Sequence, residues 1–292
     1  MSAILPLSPL NDPMPHADAN APIGIFDSGI GGLSVALEIA RYLPNERIVY
    51  YADTAHVPYG PRKDQEIREL TAHAIEWLYR QGCKIAVVAC NTASAFSLDY
   101  LREHYGEKFP IVGLVPALKP AVLQSKSKVV AVLATPATFR GKLIKDVMKN
   151  FAEPTGVQVL NLTCLDLVPF VEAGLQQSEA CHASLRAVLD PAVAQGADYL
   201  VLGCTHYPFL KNTIRELYGD TFTMVDSGVP VARQTARILL KGQLISDQIN
   251  NDHVRLECYV SGQNAEELKP VMNCLIDFEL SWSIDNIVDK MC

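Results

Sequence analysis

The sequence predicts an α/β protein of two pseudo-symmetric lobes, each a mainly parallel sheet flanked by helices, with a site between them. Three observations predict it. Apolar strand-like runs alternate with amphipathic helical stretches through most of the 292 residues, an order that places a parallel sheet under helices on both faces. Two apolar runs end alike: Ile-Ala-Val-Val-Ala-Cys-Asn-Thr-Ala-Ser at 85–94 and Tyr-Leu-Val-Leu-Gly-Cys-Thr-His-Tyr-Pro at 199–208 each carry a cysteine and a threonine past a strand. Finally, the strand, polar turn and helix that lead from Asp27 to Cys90 recur at nearly the same separation from Thr135 to Cys204, the mark of a diverged internal duplication.

Taken in order, Ala-Pro-Ile-Gly-Ile-Phe (21–26) reads as a strand, Asp-Ser-Gly-Ile-Gly-Gly (27–32) as a turn, and 33–43 as a helix with Leu33, Leu37, Ala40 and Leu43 on one face. Residues 47–51 give a second strand. The stretch 52–61, with two prolines and a glycine, is expected to be an irregular loop. A helix over 64–80 buries Ile67, Leu70, Ala74 and Leu78, and Gly82 stands where a left-handed helix stop belongs. The strand ending at Cys90 is followed by a helix to about 105 and a strand at 111–115.

The pattern then restarts. A strand at 129–133 leads into Thr135 as N-cap with Pro136 at the first helical position, opening a helix expected to run to about 151. A strand at 157–162 and an irregular piece at 164–174 follow. Ser178 caps a helix over 179–194 that contains Pro191, Gly196 closes it, and 199–202 is the strand that delivers Cys204. Further elements at 223–225, 229–241, 254–260 and 266–280 are expected to return to the first lobe. The division expected is an irregular extension at 1–20, lobe 1 at 21–117 and 226–292, and lobe 2 at 118–225.

Composition narrows the function. A hydrophobic content of 49% supports a sizeable core, and the formal net charge of −7 is spread without a basic block, which speaks against nucleic acid. No apolar run approaches the roughly 20 residues needed to span a bilayer. Residues 1–20 hold Pro6, Pro9, Pro13 and Pro15 but no lysine or arginine, so they lack the charged start of a secretory signal. With eight cysteines in apolar or helical settings, a reducing cytoplasmic location is expected. None of the cysteines forms a C-x-x-C pair, so no metal site is expected.

Ligands of open parallel sheets bind beyond the carboxyl ends of the strands, where this chain places Asp27, Ser28, Cys90, Asn91, Thr92, Thr135, Thr138, Cys204, Thr205 and His206. Gly29-Ile30-Gly31-Gly32 with Asp53 further on resembles a dinucleotide-binding turn only weakly. Ser34 replaces the third glycine, and Asp27 would meet a pyrophosphate with negative charge. A hydrolase with Cys204 as nucleophile and His206 as base lacks the glycines of a nucleophile elbow and leaves Cys90 unused. A non-catalytic two-lobe binding protein would need no paired thiols. Two thiols suit proton transfer at a carbon stereocentre, one removing a proton from one face while the other supplies a proton to the opposite face. Asp27 beside Cys90, and His206 and Glu172 beside Cys204, are the expected supporting groups.

The run of motifs at 26–34 (Phe-Asp-Ser-Gly-Ile-Gly-Gly-Leu-Ser), 57–60 (Val-Pro-Tyr-Gly), 88–94, 113–117 (Gly-Leu-Val-Pro-Ala), 167–174 (Leu-Val-Pro-Phe-Val-Glu-Ala-Gly), 202–208 and 225–228 (Val-Asp-Ser-Gly) resembles the glutamate racemase family of the aspartate/glutamate racemase superfamily. The resemblance covers 23 to about 240. It implies interconversion of L- and D-glutamate for peptidoglycan without a cofactor, and aspartate as the alternative substrate. Position by position it implies Cys90 as base for the D-isomer, Cys204 for the L-isomer, Asp27 assisting the first, and His206 and Glu172 the second. Asp27, Ser28, Tyr59, Gly60, Asn91, Thr92, Thr138, Thr205 and His206 are the implied substrate-binding residues. A homodimer and, as in longer relatives, a muropeptide nucleotide activator are the partners the resemblance brings.

Overall fold

The computed structural model describes residues 18–247, 255–262 and 265–287. Almost all of the expected 1–20 extension lies outside them. The strands are β1 (Ile23–Asp27), β2 (Ile48–Ala52), β3 (Ile85–Val88), β4 (Ile111–Gly113), β5 (Val129–Ala134), β6 (Gln158–Leu162), β7 (Tyr199–Gly203), β8 (Thr223–Val225), β9 (Leu256–Val260) and β10 (Trp282–Asn286). The helices are α1 (Leu33–Tyr42), α2 (Asp64–Arg80), α3 (Asn91–Tyr105), α4 (Leu118–Gln124), α5 (Pro136–Arg140), α6 (Lys142–Val147), α7 (Glu153–Thr155), α8 (Leu167–Glu172), α9 (Glu179–Ala194), α10 (Lys211–Tyr218), α11 (Gly228–Lys241) and α12 (Ala265–Leu275).

These strands form two sheets, ordered β10-β9-β2-β1-β3-β4 and β6-β5-β7-β8, and every pairing within them is parallel. The central strands β1, β2 and β3 are buried at every position, as strands covered on both faces must be, and their sequences are correspondingly near-continuous apolar runs. The chain passes from the first sheet to the second after β4 and returns after β8. There α11 packs against α1, and β9 and β10 extend the first sheet beyond β2. One apolar cluster runs from Ile25 on β1 through Val231 on α11 to Leu200 and Leu202 on β7, so the two sheets share a core.

Local signals read in the sequence match here. Gly82 and Gly196 take left-handed φ values of +76° and +78°. Thr135 caps α5 by accepting the Thr138 N–H, and Ser178 caps α9 by accepting that of Cys181.

Four stretches differ from expectation. The piece expected to be irregular at 164–174 contains α8, because Pro169 falls in the first helical turn, where its missing N–H costs little, while Leu167, Val168 and Val171 are buried. The helix expected from 136 to about 151 breaks at Gly141, where a Cβ would collide with Ala95 of α3. Helix α4 occupies the expected lobe boundary, again with its proline, Pro120, in the first turn. The element expected over 266–280 ends at Leu275 and is followed by the edge strand β10, which was not anticipated.

Candidate active site

Strand β1 ends at Asp27, which is fully buried. Its Oδ2 accepts the N–H groups of Gly29 (3.2 Å) and Gly32 (3.0 Å), so the carboxylate itself shapes the turn that follows. Burial pushes its pKa up from 3.8 to about 6, against the opposing pull of His206 and of the two N–H groups. From β3 the chain brings Cys90 to the N-cap of α3, where Sγ accepts the Ala93 N–H (3.4 Å) and the thiol donates toward Ser28 Oγ (3.6 Å). Burial first, and the neighbouring Asp27 second, push the Cys90 pKa well up.

The second sheet supplies the facing half. Beyond β7, Cys204 Sγ lies 3.6 Å from His206 Nδ1, and His206 Nε2 lies 2.5 Å from Glu172 Oε1 at the end of α8. Burial would lower the His206 pKa, but its hydrogen bonds to Cys204 and Glu172 outweigh burial and raise it well above 6.5. The imidazolium can then donate from both ring nitrogens at once.

The halves meet at the glycine turn. Ile30 N–H donates to Glu172 Oε1 (2.9 Å), and Thr205 Oγ1 donates to Asp27 Oδ1 (3.3 Å). A Cβ on Gly29 would strike Glu172, and one on Gly31 would strike the His206 ring. These glycines therefore make room for side chains of the opposite sheet, which accounts for a turn that resembled a phosphate cradle. Asp53, the acid set against a ribose in that reading, instead accepts from Tyr59 Oη (2.6 Å) and Ser261 Oγ (2.7 Å).

A small cavity, partly open to solvent, lies between the sheets, lined by Ser28, Pro58, Tyr59, Gly60, Cys90, Asn91, Thr92, Thr135, Val168, Cys204, Thr205 and His206. Ten of the residues singled out from the sequence, Thr135 among them, are thus brought together. Asp27, Glu172 and Thr138 stand behind the wall: Asp27 is spent on the turn and Thr205, Glu172 on His206 and Ile30, and Thr138 on Thr135 and Thr92. The remaining lining residues are Pro58 and Val168. Val168 was missed with its helix; the apolar spacing of Leu167, Val168 and Val171 was the available signal. Pro58 belongs to the 52–61 loop, which covers one side of the cavity.

Hydroxyl and amide groups share the wall with apolar surface, and His206 is its one basic side chain, with no lysine or arginine. Thr92, Thr135 and Thr138 form a hydroxyl cluster, with 2.8 Å between the first two and 3.0 Å between the last two. Asn91 Oδ1 is buried without a hydrogen-bond partner, and a buried acceptor left unpaired is a place for a ligand donor. Among the described residues no group of three or more His, Cys, Asp or Glu could hold a metal ion, and no helix is long and apolar enough to cross a membrane.

Comparison with known proteins agrees with this geometry. Over 235 residues, 80% of each chain, the sequence is 57% identical to glutamate racemase of Deinococcus radiodurans. Its fold matches the Escherichia coli glutamate racemase solved with L-glutamate and the activator UDP-MurNAc-Ala (TM-score 0.78, 32% identity, 91% of this chain and 98% of that one). It also matches the Francisella tularensis glutamate racemase solved with D-glutamate (TM-score 0.77, 26% identity, 92% and 98%). Residues 24–235 match the Asp/Glu/Hydantoin racemase family, and the chain belongs to that family.

Proposed function

We propose that this protein is a glutamate racemase that moves the α-proton between two thiols, and that its D-glutamate supplies peptidoglycan synthesis. The observation that carries the reading is the pair Cys90 and Cys204, delivered from different sheets and both lining one cavity. In the L-to-D direction Cys204, as thiolate, takes the α-proton of L-glutamate. Cys90, as thiol, gives its proton to the opposite face of the carbanionic intermediate and is left as thiolate; the D-to-L direction reverses both transfers.

The surroundings suit this division. The raised His206 pKa favours an imidazolium that donates Nδ1–H to the Cys204 sulfur, and Glu172 holds the other end of the ring. A raised Cys90 pKa suits the proton donor, with Ser28 Oγ orienting the S–H. Asp27, titrating near 6 behind Cys90, supplies the negative charge that draws the proton back onto this side when the D-isomer is the substrate.

Substrate recognition follows from the neutral wall. Carboxylates are favoured by the hydroxyls of Ser28, Thr92, Thr135 and Thr205 and by the positive end of the α3 dipole, since Asn91 and Thr92 on the wall open that helix. The Asn91 Oδ1 acceptor suits the ammonium. Neutral donors hold two carboxylates without fixing the intermediate toward one thiol, as a single arginine would. We take 21–117 with 226–292 and 118–225 as the two lobes that close on glutamate. The activator seen with the Escherichia coli enzyme makes a muropeptide nucleotide the effector to assay here.

The test is incubation with L-glutamate in deuterium oxide without added cofactor. Loss of optical rotation with α-deuterium incorporation is expected, and aspartate serves as the substrate control. Absence of exchange removes the racemase reading, and a Cys90→Ser or Cys204→Ser variant that racemises at the normal rate removes the two-thiol mechanism.

A further inference from the structure

Helix α1 begins with Leu33 and Ser34, and Ser34 occupies the place that a dinucleotide-binding turn reserves for its third glycine. Its hydroxyl crosses to the other sheet and donates to the carbonyl oxygen of Thr205 at 2.8 Å. That carbonyl belongs to the residue between Cys204 and His206. We infer that Ser34 is a positioning residue for the Cys204 half of the site: through the Thr205 carbonyl it fixes how far the Cys204 sulfur stands from Cys90. This inference rests on the racemase reading and extends it to a residue outside the cavity.

Cys204, Thr205 and His206 sit on a turn just beyond β7, whereas Cys90 is anchored on the first sheet. Their separation depends on what ties that turn to the first sheet. Thr205 Oγ1 reaches Asp27 at the longer distance of 3.3 Å, and Asp27 already accepts two N–H groups. The Ile30 bond reaches Glu172, which acts on the ring of His206 rather than on the main chain beside Cys204. The Ser34 bond grips the main chain directly, from a residue whose backbone is fixed by α1 and by its own N–H to Gly31 O at 3.0 Å. A one-carbon side chain on a helix, bonded to main chain, defines a distance better than a bond between two side chains does.

Rates alone cannot locate the damage. The two enantiomers of glutamate have equal free energy, so kcat/KM must remain equal in the two directions for every variant. Isotope effects can locate it. With α-deuterated L-glutamate the labelled transfer is the one to Cys204, and with α-deuterated D-glutamate it is the one to Cys90.

The experiment compares the full-length wild-type chain with Ser34→Ala and Ser34→Thr, after thermal unfolding has shown that each folds; alanine is well tolerated in a first helical turn. Ser34→Ala is expected to lower kcat/KM about three- to tenfold in both directions, the loss typical of one hydrogen bond. It is also expected to raise the isotope effect with deuterated L-glutamate and lower it with deuterated D-glutamate, because the Cys204 step then dominates the barrier. Ser34→Thr, which keeps the hydroxyl, should hold the wild-type pattern. Isotope effects that change equally for both enantiomers, a wild-type rate in Ser34→Ala, or a threonine variant as asymmetric as the alanine one would each overturn the inference. Failure of the wild-type chain to exchange the α-proton would instead overturn the racemase reading.

Discussion

Asp27 concentrates the electrostatic strain of the site in one residue. Its carboxyl keeps a proton up to about pH 6 because burial opposes its ionisation, whereas the same group in the unfolded chain ionises near 3.8. Between those values the native state binds the extra proton, so the contribution of Asp27 to stability is fully present below about pH 4 and declines as pH rises through about 6. Two pKa units correspond to roughly 3 kcal/mol. Asp27→Asn keeps an acceptor for the Gly29 and Gly32 N–H groups without the titration. The unfolding free energy of the asparagine variant should therefore gain on that of wild type by up to roughly 3 kcal/mol from pH 4 to pH 6, as read by urea denaturation. A difference that stays constant over that range contradicts the assignment. Wild-type kcat/KM should in parallel show an acid limb near pH 6.

At the scale of elements, the site is made by strand ends and helix starts, and α3 and α5 illustrate it best. Thr135 caps α5, and its hydroxyl also meets Thr92 on α3 and Thr138 one turn on. One side chain thus ties the first sheet's helix to the second sheet's helix at the cavity wall. Replacing it by valine removes the cap, at about 1 kcal/mol, and leaves the other two hydroxyls short of a partner. Thr135→Val should lower stability by about 1–2 kcal/mol in chemical denaturation and raise KM for glutamate, while Thr135→Ser should preserve both. Much of this level was legible in the sequence, because apolar runs, N-caps and glycine stops are local signals: the strand before Cys90, the capped start of α5 and the stop at Gly82 all follow from residues a few positions apart. Helix α8 was not legible in the same way. Pro169 reads as a breaker until its first-turn position is known, and with the helix went Val168 and the reason Glu172 reaches His206. The tight packing of Gly29 and Gly31 against Glu172 and His206 was equally hidden, since it joins residues far apart in the chain. Local pattern made two of the same residues look like a nucleotide turn, and only the opposite sheet explains them.

For the whole molecule, neither sheet completes the site, so the cooperativity of the two lobes bears directly on activity. They are joined by more than the cavity. The shared apolar cluster includes Ile25, Leu33 and Tyr50 on one side and Leu200, Leu202 and Tyr207 on the other, with α11 packed between chain segments of the first sheet. Direct hydrogen bonds cross from Ser34, Ile30 and Asp27 to the second half. A shared core predicts one unfolding transition, and the chain carries a convenient reporter. Its two tryptophans, Trp77 on α2 and Trp282 on β10, both belong to the first sheet and its helices, so their fluorescence reports that half alone, whereas far-ultraviolet circular dichroism reports both. In urea the two signals should give the same midpoint. Glutamate contacts residues from both sheets in the proposed complex, so ligand at about 100 times its Kd should move both midpoints together, by an amount equivalent to about 2.7 kcal/mol. Separate midpoints, or a ligand shift seen by only one probe, would mean that the halves fold independently and that the cavity is assembled only when they close.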